Sequence, residues 1–180
     1  MKKNASKAGT PPAANALVLG IGNLVMSDDG VGVRVVQQLQ QEFLFSANVE
    51  LVDGGTLGLD LLPLLEGRSH LIMIDAVETG KGPGTCVRLT GEELPIALET
   101  RISPHQMGLK DLLAVARLMG HAPAEMVLLG VQPGCIELDV ELSPAVALQV
   151  ETLKGAVLKE LAQIGVEARA IAPSKNVCRD

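Results

Sequence analysis

Three residues carry the chemistry this sequence could do: Asp29, Asp75 and His105. Asp29 is the second carboxylate of the pair Asp28-Asp29, which follows an apolar run and two glycines in "LVLGIGNLVMSDDGVGV". Asp75 closes the run "LIMID", and His105 stands in "SPHQ". Two carboxylates and one imidazole suit a borderline divalent ion that keeps open coordination positions. Helix capping accounts for one of Asp28 and Asp29, since an acid near a helix N-terminus gains about 0.3–1 kcal/mol from the macrodipole. One cap suffices, and a cation would explain the second carboxylate. His105 falls in the first turn of an expected helix, where the dipole disfavours imidazolium and leaves a neutral ring free to ligate metal. His70 opens a strand and His121 sits in a turn, and neither has a comparable context.

The same opening stretch can be tested as a dinucleotide fingerprint. Gly20-x-Gly22 begins the G-x-G-x-x-G pattern, but Val25 stands where the third glycine belongs. Asp53 could imitate the ribose-binding acid, yet Asp28 and Asp29 would repel a pyrophosphate at the helix N-terminus. No H-E-x-x-H helix and no G-x-S-x-G elbow is present, which excludes the common proteases built on those motifs. The "DGGT" stretch, Asp53 to Thr56, reads as a tight turn needing positive φ, or as a backbone rim able to grip an extended chain.

These residues need elements to position them. "ALVLGI" (Ala16–Ile21) is a buried first strand, followed by a helix with Val31, Val35, Val36, Leu39 and Phe43 as its apolar stripe. "NVELVD" (Asn48–Asp53) is a second strand, "LGLDLLPLLEG" a short helix bent or started by Pro63, and "HLIMIDA" (His70–Ala76) a third strand. "GTCVRLTG" (Gly84–Gly91) follows the third strand too closely for a helical crossover, so it should run antiparallel at an edge. A helix with Ser103 as cap and Pro104 in its first turn, a fifth strand "EMVLLGV" (Glu125–Val131), and a last helix from Ser143-Pro144 to Gly165 complete the chain. "CIELDVEL" (Cys135–Leu142) alternates apolar and acidic residues, as a half-exposed extended segment would.

The sum is an α/β fold: a doubly wound, mostly parallel five-stranded sheet with one antiparallel edge strand and helices on both faces. The expected organisation is a disordered tail over residues 1–14, one domain over 15–165 and a C-terminal tail over 166–180. Ligands in such folds bind beyond the carboxyl ends of the strands where the winding reverses. With the order second-first-third, that reversal puts Asp29 and Asp75 opposite each other.

Composition narrows the rest. The 180 residues carry a net charge of -6, with two Phe, no Trp and no Tyr, which argues against a nucleic acid partner on charge and on stacking alike. Three scattered cysteines (Cys86, Cys135, Cys178) make neither a disulfide framework nor a metal knuckle and fit a reducing compartment. The basic start followed by Pro11-Pro12 lacks a signal-peptide cleavage site, and no apolar run is long enough to span a membrane. A cytoplasmic location is expected, with no membrane insertion.

The sequence resembles the maturation endopeptidases of nickel–iron hydrogenases. The likeness rests on "GIGNLVMSDDGVGVRVV", "DGGTLGLDLL", "LIMIDAV", "RISPHQMGL" and "LLGVQP", in that order from Gly20 to Pro133. It implies an endopeptidase that removes a C-terminal extension from the hydrogenase large-subunit precursor after nickel has entered. It also implies nickel carried by the substrate as the metal, contacted by Asp29, Asp75 and His105 as the metal-binding and catalytic residues. Two other readings of these residues remain open: a non-catalytic nickel-binding maturation chaperone, and a nucleotide-binding α/β enzyme.

Overall fold

The computed structural model describes residues 15–91, 93–94 and 104–172, with the side chains of 104–107 excepted. The expected N-terminal tail, the capping role of Ser103 and Cys178 lie outside the described residues.

The strands form where unbroken apolar runs allow burial on both faces. β1 (Ala16–Ile21) is buried along its whole length. β3 (Val49–Gly55) pairs parallel on one side of it, and β4 (His70–Ala76) pairs parallel on the other. β6 (Glu125–Val131) pairs parallel with β4, and β5 (Cys86–Thr90) pairs antiparallel with β6. The five-stranded order is therefore β3-β1-β4-β6-β5, with the antiparallel strand at an edge, as the short connection from β4 to β5 requires.

Alternation along β1 and β4 divides the core into two layers. Ala16, Val18, Ile72 and Ile74 pack with Val31, Val35, Val36 and Leu39 of α1 (Val31–Glu42) and with Leu153, Val157 and Leu161 of the C-terminal helix. Leu17, Leu19, Leu71 and Met73 pack on the opposite face against Leu109, Leu112, Leu113 and Ala116 of α3 (Pro104–Met119). Between β3 and β4 the chain makes a 3-10 turn, Gly58–Leu61, and the single-turn α2 (Leu62–Leu65), with Pro63 in its first turn. No helix among the described residues is long and apolar enough to cross a membrane.

Three expectations differ from the structure. Phe43 does not extend the α1 stripe: α1 stops at Glu42, and Phe43 begins a short strand, β2 (Phe43–Phe45). The segment after Val166 is not only a tail, because β7 (Ala168–Ala170) pairs antiparallel with β2 in a separate two-stranded sheet. The last helix is two: α4 (Pro144–Ala147) and α5 (Val150–Gln163), separated by Leu148 and Gln149.

Ion pairs bind the helices to this frame. Arg88 of β5 donates from Nε and Nη2 to the two carboxylate oxygens of Glu160 on α5, at 2.8 and 2.9 Å. Lys154, 4% exposed, reaches Glu42 and Glu151, whose hydrogen bonds outweigh the burial that would otherwise lower its pKa. The Arg88 hydrogen bond holds the Glu160 carboxyl below its ordinary pKa of 4.5. A folded pKa lowered this way stabilises the fold above about pH 4.5, and the gain is lost as pH falls through the folded value. Half of the Arg88 side chain is exposed, so the pair is worth only about 1 kcal/mol after solvent screening. Arg88→Gln is therefore expected to lower the unfolding free energy from urea titration by that amount at neutral pH, and the difference should shrink as pH falls below about 4.5.

Candidate active site

The carboxyl ends of β1, β3 and β4 form one edge of the sheet, and the chain turns sharply as it leaves β1. From Gly22 it runs to a 3-10 turn, Ser27–Gly30, which leads directly into α1. This turn packs against β4. Glycines make the approach possible. A Cβ on Gly22 would lie 1.7 Å from the Asp29 carbonyl oxygen, and Gly22 has φ +124. A Cβ on Gly32 would lie 2.0 Å from the carbonyl oxygen of Ile74, the residue before Asp75. The glycines thus serve contact between backbone and backbone, not contact with a phosphate.

The two acids of the turn have separate tasks. Asp28 is fully buried, and its carboxylate accepts four hydrogen bonds. The donors are the backbone N–H groups of Gly134, Cys135 and Ser143, at 2.8, 3.0 and 2.7 Å, and the Ser143 hydroxyl, at 2.7 Å. Asp28 therefore fastens the segment after β6 to the turn. Asp29 is 1% exposed, and its Oδ2 accepts the Asn23 N–H at 2.9 Å. In a nucleotide-binding loop that N–H would face a phosphate, whereas here it holds a carboxylate.

The expectation that one of this pair caps α1 is not met. The N-cap position is Gly30, and no side-chain capping bond is made. Ser143 does occupy the N-cap position of α4, but its hydroxyl is given to Asp28 instead of to the helix.

Asp75 is fully buried, one residue before the end of β4. It has the parity of Leu71 and Met73, which places it on the α3 side of the sheet. α3 begins at Pro104, so His105 lies in its first turn. That turn is held against the same edge: a Cβ on Gly108 would sit 2.9 Å from the Gly58 Cα. Leu109 joins Ile21, Gly55, Thr56, Gly58 and Leu61 around a small hollow beside it. The His105 side chain lies outside the described residues, and among those described no three His, Cys, Asp or Glu side chains converge as a metal site. His70 begins β4 and so lies at the opposite edge, while His121 follows the end of α3.

Asp53, weighed above as a ribose-binding acid, is spent on structure. Its Oδ1 accepts the Gly55 N–H at 3.1 Å, and its Oδ2 accepts from Gln37 on α1 at 3.1 Å. Gly55 has φ +45, in keeping with a tight turn at "DGGT".

Sequence reasoning passed over Gln132, just beyond β6 and 6% exposed. Its Oε1 accepts the Thr79 N–H at 2.7 Å and the Thr79 hydroxyl at 2.9 Å, and its Nε2 donates to Glu78 at 3.1 Å. Together with the Gly80 N–H, which bonds the same carboxylate, this donation holds the Glu78 carboxyl below its ordinary pKa. Gln132 so anchors the connection that leaves β4 after Ala76, one residue beyond Asp75. Its place in "LLGVQP", after a buried strand, was the available signal.

Comparison with known proteins agrees with this architecture. The model of a family described as hydrogenase maturation protease matches residues 33–160. The hydrogenase 2 maturation protease of Escherichia coli strain K12 is 42% identical over 153 residues, covering 84% of this chain and 93% of the relative. The hydrogenase expression/formation protein HupD of Rhodobacter capsulatus is 42% identical over 164 residues, covering 89% and 77%. Among solved structures, the hydrogenase maturating endopeptidase HybD from Escherichia coli matches with a TM-score of 0.83 and 41% identity, covering 87% of this chain and 97% of that one. The [NiFe] hydrogenase maturation protease HybD from Thermococcus kodakarensis matches with a TM-score of 0.69 and 29% identity, covering 81% and 98%. With the family model spanning most of the chain and two relatives aligned over most of their lengths, this protein belongs to the hydrogenase maturation proteases and is an endopeptidase of that family.

Proposed function

We propose that this protease removes the C-terminal extension of a hydrogenase large-subunit precursor that already carries nickel. The nickel arrives with the substrate, held by its cysteine thiolates, and meets Asp29, Asp75 and His105. The observation that carries this reading is the burial of two carboxylates, 1% and 0% exposed, at the one sheet edge where the turn after β1, the end of β4 and the start of α3 come together. Carboxylate and imidazole donors suit a borderline divalent ion, and without thiolates of their own they bind it weakly. The half-site is complete only when the client supplies the remainder.

Nickel then has two effects. It distinguishes a loaded precursor from an empty one, and it fixes the scissile bond relative to the two carboxylates. Cleavage adds water across the amide: the carbonyl carbon takes hydroxyl, and the leaving nitrogen takes a proton. Once cut, the large subunit closes over its metal centre and joins its small-subunit partner.

The test is a mass measurement. Purified protease mixed with nickel-loaded precursor should shorten the precursor at its C-terminus, and nickel-free precursor should be cut at least about a hundredfold more slowly. Equal rates on the two would remove nickel from the recognition step. Tight nickel binding by the isolated protein, with no cleavage, would favour a chaperone.

A further inference from the structure

The turn that carries Asp29 is knitted to the segment that follows β6. The Ser27 N–H donates to the Asp139 carbonyl at 2.7 Å, and the Asp139 N–H donates to the Val25 carbonyl at 3.1 Å. The Ser27 hydroxyl donates to the Cys135 carbonyl and accepts the Glu137 N–H, each at 3.0 Å. With the four bonds to Asp28, residues 134–143 and the turn behave as one unit.

Out of this unit project side chains that a free surface does not favour. Leu138 is 83% exposed, Val140 55% and Val25 47%. Between and beside them stand Glu137, Asp139 and Glu141, all exposed. The nearby cation, Arg34, is engaged through Nη2 with the Val140 carbonyl oxygen. The N–H groups of Leu138 and Val140 and the carbonyl of Leu138 make no hydrogen bond among the described residues.

We propose that this strip receives the precursor's C-terminal extension as an extended chain. Apolar side chains of the extension cover Leu138, Val140 and Val25, and basic ones face Glu137, Asp139 and Glu141. The inference rests on the processing function proposed above and goes on to name the docking site and the chemistry of what docks.

Three observations select this occupant. The first is continuity: Asp139 bonds to Ser27, two residues before Asp29, so a chain leaving the ion at Asp29 crosses the strip at once. The second is charge: three exposed carboxylates favour a basic segment and would repel an acidic one. The third is size. A few apolar side chains in a row suit a peptide, whereas a folded domain needs about 800 Å² on each partner. Open backbone groups beside them can pair with an extended chain.

The experiment measures cleavage of nickel-loaded precursor by wild type and by Leu138→Ser/Val140→Ser. The double variant should raise KM about tenfold with kcat within about twofold, the mark of lost uniform binding. Glu137→Gln/Glu141→Gln should also raise KM and weaken its dependence on salt. Leu118→Ser, at an equally exposed leucine near the far end of α3, should change nothing. An unchanged KM in Leu138→Ser/Val140→Ser overturns the proposal.

A titration with mature large subunit lacking the extension identifies the occupant. Wild type and double variant should bind it equally, and a loss in the variant would place the body of the subunit on the strip instead. Should wild type cut nothing, the processing function itself fails. Docking is then decided by titrating intact precursor against both proteins, and equal Kd values overturn it.

Discussion

Asp75→Asn is expected to slow processing of nickel-loaded precursor by about a thousandfold while the protein stays folded. Changing a group that merely orients a metal ligand costs about 10–100-fold, and on the proposed half-site Asp75 contacts the ion itself, so removing its charge costs more. Asp75 is fully buried at the end of β4, so no solvent-borne carboxylate can replace it. The amide keeps the volume of the acid, so the unfolding free energy from urea titration should fall by no more than about 1 kcal/mol. His105→Ala should match it in activity with the fold kept, because Gly108 and the buried Leu109 seat this end of α3. Following the precursor's mass over time for both variants tests the assignment. Undiminished cleavage by either one removes that residue from the mechanism.

Asp28→Ala should have the largest effect on stability. Truncation leaves three backbone N–H groups and one hydroxyl without their acceptor, around a carboxylate site that is fully buried. An unsatisfied buried donor costs about 1–3 kcal/mol, and water entering the gap recovers part of that, so a loss of about 3–5 kcal/mol is expected. Urea unfolding measures it directly. Asp28→Asn should fall between wild type and alanine, since its amide keeps one acceptor oxygen but turns an NH2 toward donors. Unlike Asp75→Asn, it should lose activity together with stability. A variant that stays as stable as the parent would show that the segment after β6 is held by other means.

The contrast between these acids shows where sequence is informative. Asp28 and Asp29 are neighbours of one type in a single motif, and local reasoning gave a helix cap to one of the pair and a cation to the other. The four donors to Asp28 lie 106 to 115 residues away, whereas the Asn23 N–H that bonds Asp29 lies 6 away. No local pattern encodes the distant set. β1, β4 and β6, by contrast, are each an apolar run that has to be buried on both faces, and their limits were legible to the residue. The orientation of β5 followed from a connection too short for a crossover. β7 was hidden because Ala-Arg-Ala carries no strand signal and forms only against β2, more than a hundred residues earlier. Phe43 was misplaced for a related reason: its spacing continues the α1 stripe, but its partner Ala170 draws it into a strand. In the candidate site, the shared edge of Asp29 and Asp75 was readable from strand order, while the tasks of Ser27, Gln132 and Ser143 depended on tertiary contacts.

One contact between glycines sets how closely α3 approaches the loop after β3. Gly58 and Gly108 meet with no side chain between them, one on the loop after β3 and the other in the helix that bears His105. Nothing there interlocks, so the start of α3 stands off from the loop after β3 by the thickness of bare main chain. A single methyl at either position would act as a shim. The start of α3 would then be wedged away from the loop after β3.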